Sequence, residues 1–175
     1  MSAKSDPAPS SSAITHQPAI SPNLWDDVRL QRLWLSAQRR PWRSLALISA
    51  SKSIDTLWVA ELFAKLAWWY RGQPSCVSDL RDLSLRLVEY YEQRVTAQVE
   101  EGQSVLIALR SMSENPTAIP MARWADGVLL CVGLGKTAVK EAEQTIAEVG
   151  RERVLGAIVV KRKSGGSGGT VGNGK

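Results

Sequence analysis

The chain has 175 residues, 44% hydrophobic and 22% charged, with a formal net charge of +5, which allows one compact domain with spare residues at its ends and does not allow two full domains. Two cysteines, Cys76 and Cys131, and a single histidine, His16, provide neither a disulfide framework nor a Cys/His set at zinc-ligand spacing. The mild positive charge suits an anionic partner such as nucleic acid or an inner-leaflet surface, and equally an ordinary solvated exterior.

Residues 1–23 (MSAKSDPAPSSSAITHQPAISPN) are rich in Ser, Pro and Ala, too poor in large apolar groups to offset the entropy of ordering them, and are expected to form a disordered leader. No apolar run follows a basic start, and the most apolar stretch, residues 57–70, is interrupted by Glu61 and Lys65. A cytoplasmic chain without a transmembrane segment, or one peripheral at the inner face of the plasma membrane, is therefore expected.

Leu24, Trp25, Val28 and Leu35 recur at helical spacing and predict an amphipathic helix over 24–40, stopped before Pro41. A short apolar run predicts a strand over 44–50, and residues 57–71 read as a helix ended by Gly72. A brief strand over 75–78, a long helix over 83–101 and a strand over 104–110 follow. The pattern continues with a short helix over 119–124, a strand over 127–133, a helix over 137–149 and a last strand over 154–160. The basic run Lys161, Arg162, Lys163 leads into a flexible Gly/Ser-rich tail over 164–175. Five short apolar strands separated by helices predict one α/β domain over 24–163, a doubly wound, mainly parallel five-stranded sheet with helices on both faces. Ligands of such folds bind beyond the C-terminal ends of the strands, which directs attention to the loops after Ala50, Ser78, Leu109 and Val132.

A phosphate-binding loop after the first strand would read G-x-x-x-x-G-K-[ST], with glycines for close backbone approach, a lysine on the phosphates and a hydroxyl on magnesium. The chain instead has Ser49-Ala50-Ser51-Lys52-Ser53-Ile54-Asp55-Thr56-Leu57. The order of elements resembles the bacterial capsular-polysaccharide tyrosine autokinases (BY-kinases) and the related partition ATPases of the deviant Walker type, which are P-loop NTPases. Laid on the family's S-A-x-P-G-E-G-K-[ST] start, Ser49 and Ala50 match its Ser-Ala, Ser53 and Asp55 replace its glycines, Thr56 replaces its lysine and Leu57 its magnesium-binding hydroxyl. The family's E-x-x-R-x-x-R helix, which contacts the next subunit of a ring, is matched by Asp26, Arg29 and Arg32. Residues 123–132 look like its A-D-x-V-L-L-V-V strand and 155–159 like its L-G-x-V-x-N strand.

The family's D-x-D-L-R motif becomes Val77-Ser78-Asp79-Leu80-Arg81, leaving Asp79 and Arg81 as a relic acidic motif. The strand that should end in a magnesium-positioning acid ends in Arg110, and no tyrosine stands in the tail. Gly133-Leu134-Gly135-Lys136-Thr137 ends like a phosphate loop, yet Leu130 stands where its first glycine is needed; a plain strand-to-helix turn is the favoured reading over a single-anion site. Trp68, Trp69 and Tyr70 are read as core or interface ahead of a base-stacking platform. Arg39, Arg40 and Arg43 beside Trp42 suit phosphate or head groups, or only a helix end, where cations are favourable.

The resemblance with its catalytic parts missing implies a catalytically inactive kinase-like or ATPase-like subunit, a scaffold or regulator in bacterial surface-polysaccharide (capsule or exopolysaccharide) biosynthesis or export. No catalytic residue, metal ligand or cofactor is assigned, and binding of ATP and magnesium is not expected. Expected partners are proteins: a homo- or hetero-oligomer with a kinase-like homologue or a membrane polysaccharide copolymerase. The alternatives are a divergent ATPase or tyrosine kinase acting through Lys52 or Lys136, and a partition-type positioning protein binding nucleic acid through Arg39, Arg40, Arg43 and the tail.

Overall fold

The computed structural model of the chain describes residues 28–52, 54–72 and 74–160. The leader, Asp26 with the rest of 24–27, Ser53, and the basic run and tail over 161–175 lie outside the described residues. Five strands, β1 (Ser44–Ser49), β2 (Ser75–Asp79), β3 (Ser104–Leu109), β4 (Gly127–Gly133) and β5 (Val154–Val160), form one parallel sheet in the order β2-β3-β1-β4-β5. β1 and β3 are buried at every position, and only Val132 of β4 is half-buried. Such continuous apolar runs are what a strand covered on both faces requires.

Alternate residues of the central strands feed two separate cores, because successive side chains of a strand point to opposite faces. Leu45, Leu47, Leu106, Leu129 and Cys131 pack under α1 (Val28–Ala37) and α2 (Thr56–Arg71) with Val59, Phe63 and Leu66. Ala46, Ile48, Val105, Ile107, Val128 and Leu130 pack against α3 (Val88–Glu100), α4 (Ala118–Trp124) and α5 (Val139–Val149), chiefly through Val95, Met121, Ala122 and Val149. The fold is thus a doubly wound α/β sheet. Each fully buried Leu, Ile or Phe contributes about 1.5–3 kcal/mol relative to an exposed one, so the two layers are the main source of stability. No helix among the described residues is long and apolar enough to cross a membrane.

Three helix boundaries lie two or more residues from the sequence reading, each for a local reason. α1 ends at Ala37 rather than Arg40, because residues 38–40 turn back and the Ala37 carbonyl accepts from Trp42 Nε1 at 2.9 Å. The helix predicted over 83–101 is a short 3-10 turn, Leu85–Leu87, followed by α3. Its predicted first residue, Leu83, is buried, and the Leu83 carbonyl accepts from Asn115 Nδ2 and from the Thr117 hydroxyl. α5 starts at Val139 because Thr137 belongs to the preceding turn, and Glu141 reaches back to the Ala138 N–H at 3.1 Å. In α4, Pro120 stands in the first turn, where its missing N–H costs nothing.

Two contacts anchor β1 at its N-terminal end. Trp34, Trp42 and Tyr70 pack as an edge-on pair (Trp34 and Trp42, centroids 6.3 Å apart) and a stacked pair (Trp34 and Tyr70, 5.6 Å), with the Arg71 guanidinium 4.6 Å from the Trp42 ring. Cation–π contact of this kind ties the C-terminal end of α2 to the approach of β1, and it also draws in Gln38, whose side chain accepts from Arg71. Asp126, just before β4, accepts from the Arg43 N–H (2.9 Å), the Ser44 N–H (2.8 Å) and the Ser44 hydroxyl (2.9 Å).

Burial alone would raise the Asp126 pKa, but these donors outweigh it and hold the carboxyl below its usual value. Asp79 is likewise held low, chiefly by its hydrogen bonds from Arg81. Depressed folded-state values mean that this stability is fully present above the ordinary carboxylate pKa, about 3.9, and is lost as pH falls through the folded values. Urea denaturation is expected to show a constant midpoint near neutrality and a decline below about pH 4. Asp126→Ala is expected to cost about 1–2 kcal/mol at neutral pH and to flatten part of that decline; an unchanged acid profile would show that this carboxylate does not hold β1.

Candidate functional site

The loops after β1, β2, β3 and β4 converge at the C-terminal edge of the sheet, with β1 in the middle of the strand order. Asp55 is the N-cap of α2: its backbone is extended (φ −83°, ψ 93°), and Oδ1 accepts from the Leu57 and Trp58 N–H groups at 3.1 and 3.3 Å. Those are donors that a helix start leaves unpaired and that a bound phosphate would otherwise engage. In the resemblance Asp55 stands at a glycine facing phosphate, and here its own carboxylate takes the anion's place at the positive end of the helix.

Thr56, at the family's lysine position, is fully buried. Its hydroxyl donates to the Leu109 carbonyl at 2.8 Å, fastening the start of α2 to the end of β3. Ser49 and Ala50 are buried at the end of β1, and Ala50 N–H donates to the Cys131 carbonyl at 2.9 Å. The Ser49 hydroxyl donates to the Ser51 carbonyl, and Ser51 Oγ lies 2.7 Å from Thr137 Oγ1, so hydroxyls bridge the β1 and β4 loops. Lys52 is exposed in the turn.

Arg81 joins the first two loops. Its Nε and Nη2 meet Asp79 Oδ1 and Oδ2 at 2.7 and 2.8 Å in a bidentate pair, and Nη1 reaches Asp55 Oδ1 at 3.2 Å. The sequence motif thus brings Asp55, Asp79 and Arg81 together as one ion-pair cluster. A planar guanidinium fork fits a carboxylate in this way where a lysine would not. Arg110, just after β3, has partners as well: its Nε lies 2.9 Å from Asp82 Oδ1, and Nη1 lies 3.8 Å from Glu114. The hydrogen bond that Arg110 donates to Asp82 leads the effects that raise the Arg110 pKa. Glu114 also accepts from the Ser111 hydroxyl at 2.6 Å.

Asn115 completes the corner by donating to the Arg81 and Leu83 carbonyls at 3.1 and 3.0 Å. Sequence reasoning did not single out Asp82, Glu114 or Asn115; the Asn-Pro-Thr turn at 115–117 was the available signal, since Asn before Pro favours a turn that bonds its own backbone.

Gly133-Leu134-Gly135-Lys136-Thr137 is a closed turn. The Lys136 and Thr137 N–H groups donate to the Gly133 carbonyl at 3.1 Å, and the Thr137 hydroxyl accepts from the Gly133 N–H at 2.9 Å. Ile54 lies against Gly133, 3.6 Å from where a Cβ would stand. The Gly133, Lys136 and Thr137 N–H groups are occupied by the turn itself, and the Leu134 N–H donates to the Val160 carbonyl at 3.1 Å.

The remaining sequence candidates lie elsewhere. Arg29 and Arg32, with Arg39, line a groove of about 330 Å³ between α1 and β5; Asp26 lies outside the described residues. Arg40 donates to the Glu152 carbonyl and Arg43 to the Val99 carbonyl at 3.3 Å, both away from the β1 loop. Trp68 and Trp69 are half exposed, so the core half of their sequence reading is corrected: α2 turns Val59, Phe63 and Leu66 inward, and the indoles follow its outer side. Among the described residues no three His, Cys, Asp or Glu side chains are grouped to hold a metal ion.

Asp55→Ala is expected to cost about 1 kcal/mol through the lost cap, and Thr56→Val about 1 kcal/mol through the lost buried hydrogen bond to the Leu109 carbonyl. Chemical denaturation of both variants reads these losses, and a neutral Thr56→Val would show that the α2 start is not fastened to β3. No family model matches the chain, and neither a curated protein nor a solved structure matches it.

Proposed function

We propose that the chain is a catalytically inactive, kinase-like or ATPase-like subunit that works as a scaffold or regulator in bacterial surface-polysaccharide biosynthesis or export. The observation that supports this reading is the self-filled start of α2. Phosphoryl transfer needs donors and a metal arranged around a phosphate, and here the α2 donors hold Asp55, Arg81 holds Asp55 and Asp79, and Thr56 faces inward. A nucleotide phosphate would have to displace a carboxylate that is already capped and ion-paired, and would then face its charge at short range. The polysaccharide setting is supported by the ordered resemblance over 24–163, including Asp26, Arg29 and Arg32 ahead of the first strand. A sheet kept intact around a closed loop suits a protein whose surfaces do the work, cytoplasmic or at the inner face of the membrane.

Calorimetric titration with MgATP is expected to give no saturable heat up to about 1 mM, and micromolar binding would overturn the reading. In a strain lacking the gene, surface polysaccharide is expected to fall and to be restored by a Lys52→Ala, Lys136→Ala chain. Failure of that chain to restore it, with the unaltered chain succeeding, would favour residual phosphoryl transfer.

A further inference from the structure

Helix α2 carries large apolar side chains on two sides. Its inner side, Val59, Ala60, Phe63, Leu66 and Ala67, is buried in the core. Its outer side carries Trp58, Glu61, Lys65 and Trp68, residues three and four apart that share one helical face, the two charged residues half-buried between the exposed indoles. Trp58 and Trp68 are 55% and 50% exposed, and neither Glu61 nor Lys65 has a salt-bridge partner among the described residues.

These four positions are symmetric about Phe63, with a tryptophan on either flank and opposite charges nearer the centre. A two-fold axis passing beside the helix at that level, perpendicular to it, sets Trp58 against the partner's Trp68 and Glu61 against the partner's Lys65, each pair occurring twice. Such reciprocity is the defining condition of an isologous interface. A helix lying on anionic lipid would flank its apolar residues with cations; this face carries an acid beside its lysine, which favours a matching protein surface.

We propose that α2 docks antiparallel on α2 of a second copy of this chain, with the tryptophans as apolar anchors and the Glu61–Lys65 pairs setting orientation. The proposal names the partner for one face of the scaffold read above, and it stands apart from ATP binding: a chain that binds MgATP yet dimerises through α2 would overturn only the earlier reading. One helix pair is a small interface, so the dimer is expected to be reversible in the micromolar range.

Sedimentation equilibrium of the full chain tests it. Glu61→Lys and Lys65→Glu each place two like-charge pairs in the interface and are expected to weaken dimerisation about tenfold or more. The double reversal re-forms both pairs with exchanged sign and is expected to return to within about threefold of the unaltered chain. Trp58→Ala with Trp68→Ala is expected to be monomeric, since aromatic anchors carry most of such an interface. Far-UV circular dichroism checks that these variants fold. A monomeric unaltered chain at about 100 μM, single reversals that dimerise like it, or a double reversal that stays weak would each overturn the proposal. Monomer that binds phosphatidylglycerol vesicles through Trp58 and Trp68 would overturn it in favour of a lipid surface, and dimer appearing only after removal of residues 1–27 would overturn it in favour of cover by the chain's own leader.

Discussion

Helix α2 begins on a carboxylate of its own chain, and the C-terminal edge of the sheet is organised around that cap. The first N–H groups of a helix must find acceptors, and at the middle strand of a doubly wound sheet they face the crevice where such folds take ligands. Asp55 answers that requirement internally. Arg81 then links Asp55 to the end of β2 through Asp79, while Thr56 links the same helix start to the end of β3. Three loops that would part around a ligand are held as one corner.

The charges follow from this arrangement. Two arginines, Arg81 and Arg110, stand among Asp55, Asp79, Asp82 and Glu114, and each guanidinium is matched within the cluster. Asp79 and Arg81 shift in opposite directions, the acid down and the base up, as an ion pair requires. Exposed pairs of this kind contribute modestly to stability; their larger effect is positional, because the bidentate Arg81–Asp79 geometry fixes where Arg81 can point. At the opposite edge Asp126 and the Trp34–Trp42–Tyr70 packing hold the entry to β1. α2 is fastened at both ends, and its outer indoles are therefore displayed on a rigid element.

The strands were legible because their signal is strong. Short apolar runs between Gly, Pro and Ser have one economical solution, a parallel sheet covered on both faces, and β4 and β5 coincide with their predicted residues. Helix ends were less legible because long-range acceptors decide them: the Ala37 carbonyl takes Trp42, Asn115 holds Leu83 out of the predicted long helix, and Thr137 is taken up by the β4 turn. Trp68 and Trp69 illustrate the same limit, since an α-helix with large apolar side chains on more than one side does not declare which of them the sheet will take.

The sequence by itself determined the alternation of strands and helices, the lack of glycine at Ser53 and Asp55, and the Asp79-Leu80-Arg81 run, since these depend on local pattern and residue identity. Only the tertiary structure decided that Asp55 meets Arg81 of the Asp79–Arg81 pair, that Thr56 turns inward to Leu109, and that Ser51 bridges to Thr137. Those contacts join residues far apart in the chain, and their partners are set by which strands lie side by side, a choice made by burying both faces of the sheet at once.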